Sequence, residues 1–171
     1  MLSFVSETED DITSIREVVT AAFGRTSEAK LVEAIRNSPN FIPQLSIVAE
    51  EDGDALGHVM FSAIAIAAQN RPIPVLALAP LSVMPARQYE GIGSQLVQVG
   101  LSKCRELGHS IVVVLGEPHY YRRFGFQTAS QFGVQAPFPV PDDAFMVLEL
   151  KPGALKSVSG IVRYPTYFED V

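Results

Sequence analysis

A proline stands inside an apolar, strand-like run, Val75-Leu76-Ala77-Leu78-Ala79-Pro80-Leu81-Ser82-Val83. It has no amide hydrogen to give a ladder, so Pro80 is expected to break the strand and belongs at an edge or bulge, where the chain swings away from a neighbour and leaves backbone groups unpaired. A few residues later Arg87-Gln88-Tyr89-Glu90-Gly91-Ile92-Gly93-Ser94 leads into an amphipathic helix expected from about Gly93 to Leu107, with Leu96, Val97, Val99, Leu101 and Cys104 apolar and Gly108 as its C′ residue. Two glycines one residue apart let the backbone turn tightly and bring N–H groups to an anion, and the helix adds the positive end of its dipole. These features predict a sheet that opens beside an anion cradle.

The flanking periodicities give the remaining elements. A short strand around Leu2 to Val5 precedes a helix in which Ile12, Ile15, Val19, Ala22 and Phe23 recur at helical spacing behind Glu9, Asp10 and Asp11. A second helix is expected from about Ser27 to Arg36, closed off by Pro39 and Pro43. Gln44 to Glu50 and Leu56 to Ile66 then read as an antiparallel hairpin about Glu51-Asp52-Gly53-Asp54. Ile111 to Leu115 is a central strand, parallel to the one before the cradle helix. After it come a brief helix carrying Tyr120 and Tyr121 and ending at Gly125, and two strands, Phe145 to Leu150 and Ile161 to Tyr164. With no internal repeat and no linker, the 171 residues are expected to form a single domain.

Composition narrows the function classes. A net charge of −6 argues against a nucleic-acid partner, which needs clustered Lys and Arg. The acidic runs Glu7 to Asp11 and Glu50 to Asp54 read as solvated caps and turns. No apolar run reaches the roughly 18 residues that span a bilayer, and the start shows no secretory pattern, so the expectation is a soluble, cytoplasmic chain without a membrane partner. The single cysteine, Cys104, forms no intramolecular disulfide and reads as a small buried hydrophobe, and the three histidines lack metal-ligand spacing, so no metal is expected.

Gly91-x-Gly93 alone is weak, because a tight turn with no ligand uses the same residues. A dinucleotide loop would want glycine where Leu96 stands and its first glycine directly at the strand end, although Glu117 follows the next strand where a ribose-binding acid would. A Walker loop is excluded by the absence of Gly-Lys-Ser/Thr. The wider pattern is more specific. Gln88-x-x-Gly91-x-Gly93, preceded by Leu81-Ser82-Val83 and a basic residue, resembles the acyl-CoA signature of the GNAT superfamily of N-acetyltransferases. Tyr121-Arg122-Arg123-Phe124-Gly125-Phe126 is similar to the second motif of that superfamily. Leu115-Gly116-Glu117-Pro118-His119-Tyr120-Tyr121 and Phe145 to Leu150 resemble its YhbS-like branch, and the likeness runs from about residue 45 to the end.

The resemblance implies an α/β (α+β) fold with a mixed, mostly antiparallel sheet splayed at the strand containing Pro80. It implies acetyl-CoA as cosubstrate and an amine-bearing acceptor. Backbone N–H groups of Gln88, Tyr89, Glu90, Gly91, Ile92, Gly93 and Ser94 would hold the pyrophosphate, with Arg87 adding charge and the Glu90 side chain turned to solvent. Leu81, Ser82 and Val83 would pair with the pantetheine amides, and the Val83 N–H would donate to the oxyanion. Tyr121 would act as general acid towards the departing thiolate, with Phe124 also against the cofactor; read alone, Tyr121 is more readily a core tyrosine, and the spacing to Gly125-Phe126 is what favours catalysis. Glu117 is the candidate base by position, with His119, His58 and ordered water as alternatives. Many relatives carry an asparagine where this chain has Gly116 and Glu117. The acceptor would meet the two N-terminal helices and the loop from Gln131 to Pro141, and C-terminal strands could pair two copies. The rival reading is a noncatalytic acyl-CoA-binding regulatory domain.

Overall fold

The structure is a computed structural model describing residues 1–171. By density of contacts the chain forms two compact units, Met1–Ser62 with Ala79–Lys103 and Thr166–Val171, and Ala63–Leu78 with Cys104–Pro165. No helix is long and apolar enough to cross a membrane.

In the first unit β1 (Leu2–Ser6) pairs antiparallel with β2 (Ser46–Glu51), which pairs antiparallel with the start of β3 (Asp54–Ala67). The hairpin turns at Asp52 and Gly53, with φ of 53° and 84°, the positive pair that a tight two-residue turn between twisted strands requires. Helices α1 (Ile12–Phe23) and α2 (Ser27–Arg36) bury the stripes that their periodicity marks out. Ile15 and Val19 of α1 and Leu31, Val32 and Ile35 of α2 enclose Val48 and Met60 in one core cluster.

This unit also holds the end of β4 (Pro72–Val83) and most of α3 (Ile92–Glu106). Gly57 of β3 fixes how they meet. A Cβ at position 57 would lie 2.9 Å from Leu96 Cδ1, 3.0 Å from the Ser82 carbonyl oxygen and 3.3 Å from Ile92 Cγ2. The first turn of α3 and the last residues of β4 therefore close on a position that has room for hydrogen alone.

In the second unit the strand order is β4, β5 (Ile111–Leu115), β8 (Phe145–Glu149) and β6 (Gln127–Thr128). β4 runs parallel to β5, and β8 is antiparallel to both β5 and β6. The end of β3 pairs antiparallel with β9 (Gly160–Arg163), which carries β7 (Val134–Gln135) in parallel. Helix α4 (Pro118–Arg122) follows β5. The sheet is mixed and mostly antiparallel, with helices beside it, as the sequence implied.

The expected break at Pro80 is corrected in kind: β4 runs through it without interruption. What stops is the ladder to β5, which pairs Leu76 with Val112 and Ala77 with Val113 and goes no further. Proline lacks one backbone donor and keeps its carbonyl, so a strand can pass through it without interruption.

Because Gly57 faces both a side chain and a carbonyl, Gly57→Ala should cost about 1–3 kcal/mol, the usual range for overpacking. Chemical denaturation measures this; a loss within ~0.5 kcal/mol would show that α3 shifts freely away from β3.

Candidate functional site

The cradle is built from backbone. The Met84 N–H donates to the Leu56 carbonyl of β3 at 2.8 Å. Successive residues of a strand present their polar groups to opposite edges, so Ser82 faces β3 with Met84, whereas Leu81 and Val83 face the edge that β5 no longer pairs. Ser82 agrees with this: it is buried, and its hydroxyl reaches the His58 carbonyl at 3.5 Å. The Gln88 side-chain amide donates to the Val83 carbonyl at 3.2 Å, which places Gln88 on the open edge.

A 3-10 turn over Pro85–Arg87 then leads to Tyr89 and Gly91, both left-handed with φ of 66° and 86°. For a residue with a Cβ this conformation costs roughly 1–2 kcal/mol, so the turn is specified by Gly91 and strained at Tyr89, whose side chain is fully exposed. Alternations of this kind make concavities of backbone N–H groups. The ladder of α3 begins with the Gln95 N–H donating to the Gly91 carbonyl at 3.1 Å, so the amides before Gln95 lie at the positive end of the helix. Ile92 is buried and anchors that end.

Arg87 is engaged from two sides. Its Nε donates to Glu90 at 3.0 Å and its Nη1 to Glu51 at 3.1 Å. The hydrogen bonds to Glu90 and then Glu51 push the guanidinium pKa further up. Two carboxylates about one cation leave a local charge of −1, so the backbone is the larger attractor for an anion here. The pairing with Glu90, three residues on, was readable as an i,i+3 pair; that with Glu51, which comes from the end of β2, was not.

The second group of predicted residues lies at the end of β5. Gly116 donates its N–H to the Ala144 carbonyl at 2.9 Å. Glu117 is the N-cap of α4, and its exposed carboxylate accepts the His119 N–H at 3.0 Å. Tyr121 is buried, its ring edge-on to Phe126 at 5.8 Å and to Tyr120 at 5.0 Å, with Phe124 at 6.5 Å. A Cβ at Gly116 would lie 2.5 Å from Tyr121 Cε2, so Gly116 is the space that the tyrosine ring occupies. That role was not read from the sequence, although the departure from asparagine at this position was its signal. Burial, and then the neighbouring Tyr120, raise the Tyr121 pKa above its ordinary value, so the phenol stays neutral.

Two other candidates take structural roles. His58 is fully buried, and its Nε2 lies 2.8 Å from Ser46 Oγ. The Ser46 hydroxyl donates to Glu7, which also holds Arg36 through contacts of 2.7 and 3.1 Å. Since the Ser46 proton is committed to Glu7, His58 must donate from Nε2 and is the neutral tautomer. Burial, and then Arg36, lower its pKa to about 3, consistent with that state. It is a tie between β2, β3 and α2 and has no solvent path for a proton. Cys104 is buried, with its pKa raised to about 12 chiefly by burial, and packs as the small hydrophobe expected. No group of three or more His, Cys, Asp or Glu residues is placed to hold a metal ion.

A mixed sheet with an unpaired edge on β4 and a backbone turn at the head of the following helix suits a ligand that carries an anionic group and an extended amide chain. Residues 5–129 match the family model described as an acetyltransferase (GNAT) domain, and the chain belongs to that family. It is 32% identical over 158 residues to the uncharacterized N-acetyltransferase YhbS of Escherichia coli K12, covering 92% of this chain and 93% of that one. It is 37% identical over 136 residues to the uncharacterized N-acetyltransferase YjhQ of the same strain, covering 79% and 75%. Among solved structures, Escherichia coli YhbS in complex with CoA superposes with a TM-score of 0.91 at 32% identity, over 98% of this chain and 92% of that one. A GNAT family acetyltransferase from Brucella melitensis in complex with acetyl-CoA superposes with a TM-score of 0.79 at 35% identity, over 98% of each chain.

If Glu51 and Glu90 weaken the cradle for anions, Glu51→Gln with Glu90→Gln should tighten pyrophosphate binding about three- to tenfold in calorimetry, less at high salt. Unchanged affinity would place the anion away from Arg87.

Proposed function

We propose that this protein transfers an acetyl group from acetyl-CoA to an amine by direct attack on the thioester. The observation that carries the reading is the cradle at residues 88–94, set beside backbone groups of Leu81 and Val83 that β5 does not pair. CoA offers complementary chemistry: a pyrophosphate for the amides at the head of α3, and pantetheine amides for a strand edge. The CoA and acetyl-CoA complexes of the two relatives support the choice of ligand.

Each residue has one task in this reading. Amides of Gln88 to Ser94 bind the pyrophosphate, Gln88 gives up the Val83 carbonyl to the pantetheine, and the Val83 N–H donates to the oxygen that gains charge as the amine attacks. Tyr121 donates to the leaving sulfur, and Phe124 packs against the cofactor. Glu117, with one carboxylate oxygen capping α4, receives the amine proton through water. One buried cysteine and no disulfide fit a cytoplasmic enzyme. Pairing of two copies through the C-terminal strands rests on the family resemblance alone.

Release of CoA thiol in the presence of an amine panel tests the reading. CoA binding without turnover on any amine would leave a binding domain and overturn the transfer. Gly91→Glu places a side chain and a charge in the anion site at a left-handed position, and should abolish CoA binding measured by calorimetry. Tyr121→Phe should lower kcat about 10²-fold or more while CoA affinity stays within a few-fold.

The pH dependence has a definite sign. Raising the phenol pKa keeps its proton in place to higher pH, so kcat/KM should climb as the amine loses its proton and show no fall due to Tyr121 below about pH 10. A descending limb near pH 8 that Tyr121→Phe removes would refute the assignment.

A further inference from the structure

We propose that the cavity between β7, the loop that follows it and the start of β8 receives the apolar body of the acceptor, and that the acceptor is a hydrophobic amine of phenylalkylamine type carrying no carboxylate. This rests on the acetyl-transfer reading and adds the substrate class. The cavity has a volume of about 170 Å³ and is walled on its apolar side by Val134, Phe138, Val140 and Phe145, with Ser130, Gln135 and Asp142 as polar members. An engineered apolar cavity of about 150 Å³ binds benzene, so the space suits one phenyl ring or a branched alkyl group of similar bulk.

Its walls are fixed in place. Val134 and Phe145 are buried strand residues. Phe138, itself 44% exposed, stacks on Tyr164 with ring centres 5.9 Å apart and planes 15° apart. A half-exposed aromatic held in one orientation presents a flat apolar surface without having to be ordered when a ligand arrives.

The cavity also adjoins the segment that carries Glu117 and Tyr121. Phe145 is the register partner of Leu115, the last residue of β5, and the carbonyl of Ala144 accepts the Gly116 N–H at 2.9 Å. An acceptor lodged against Phe145 therefore sits one strand position from the start of the Gly116-Glu117 turn.

Charge selects among molecules of that shape. Ser130 Oγ donates to Asp142 Oδ2 at 2.9 Å, which fixes the carboxylate at the cavity. A fixed anion repels an acceptor bearing its own carboxylate and tolerates an amine, so amino acids are rejected where the corresponding amines are accepted.

Turnover on 2-phenylethylamine, phenylalanine and ethanolamine, with acetyl-CoA in excess, tests the assignment. 2-Phenylethylamine should exceed the other two in kcat/KM by about tenfold or more, the discrimination of a pocket for a small apolar group. Val140→Trp, which fills the cavity, should raise the KM for 2-phenylethylamine at least several-fold more than that for ethanolamine and leave CoA affinity unchanged. Phe138→Ala, at an exposed position, should act in the same direction and guards against a misfolded first variant. Asp142→Asn keeps an acceptor for Ser130 and should narrow the preference for 2-phenylethylamine over phenylalanine several-fold. Equal use of ethanolamine and 2-phenylethylamine, or indifference to both cavity variants, would overturn the pocket while leaving acetyl transfer intact. Binding of 2-phenylethylamine that Val140→Trp abolishes, with no turnover on any amine, would support the pocket and overturn the transfer.

Discussion

The backbone of β4 has to dispose of its polar groups on two edges, and it does so differently on each. Towards β3 the strand keeps its partner to the end, as the Met84 to Leu56 hydrogen bond shows. On the other edge the ladder to β5 ends at Ala77, so Leu81 and Val83 need other partners. Gln88 supplies one by folding back onto the Val83 carbonyl, a replaceable side-chain contact where a strand would give a permanent one. Gln88 and Gly91 thus belong to one arrangement, a length of strand edge that β5 does not pair beside a backbone turn. Gly57 contributes from β3, because close approach at that residue sets where α3 begins.

At the proposed cradle one guanidinium is shared between two carboxylates. Arg87 pairs with Glu51 and Glu90 while partly exposed, where water screens each contact and makes it weak. In the proposed reading an anion competes for the guanidinium, and the carboxylates reclaim it when the anion leaves. The Glu7, Arg36, Ser46 and His58 group is the opposite case. Glu7 and Arg36 side chains are only 5% and 12% exposed, each member has a partner, and removing any one would strand a buried polar group. That difference in burial separates a charge that can switch partners from charges that hold the fold.

Periodicity made much of this legible in the sequence. The stripe Leu31, Val32 and Ile35 placed α2 at Ser27–Arg36, and the β-branched run of β5 placed that strand, because both elements bury a face that the residue types record. β6 and β7 went unread since each has two residues, too short for any period, and each is held by a partner distant in the chain. At Pro80 the expected break is not an interruption of β4, since residue type reports the missing donor and neither where the strand ends nor which edge the donor would have faced. Glu117 drew notice for its place after β5, and its cap of α4 accounts for an acid there independently of any catalytic part. Gly116 was noted as a departure from the family pattern, but its reason, the Tyr121 ring, needed the tertiary structure.

The raised pKa of Tyr121 constrains the proposed chemistry in a way the sequence could not. A thiol is ordinarily more acidic than a phenol, with reference pKa values of about 8.5 and 10, so transfer of a proton from tyrosine to a thiolate is already uphill. Burial among Phe126, Tyr120 and Gly116 makes it more so. Tyr121 therefore cannot end the reaction as a tyrosinate. It can donate a hydrogen bond to sulfur as charge develops, and give up its proton only if another replaces it in the same event. The attacking nitrogen is the natural source, since it becomes cationic on bonding to carbon and must shed a proton to become an amide. After attack that proton is far more acidic than in the free ammonium ion, so a weak acceptor suffices to pass it on. A solvent-exposed carboxylate such as Glu117, acting through water, meets that modest requirement, and a strongly basic residue buried in the site is not needed.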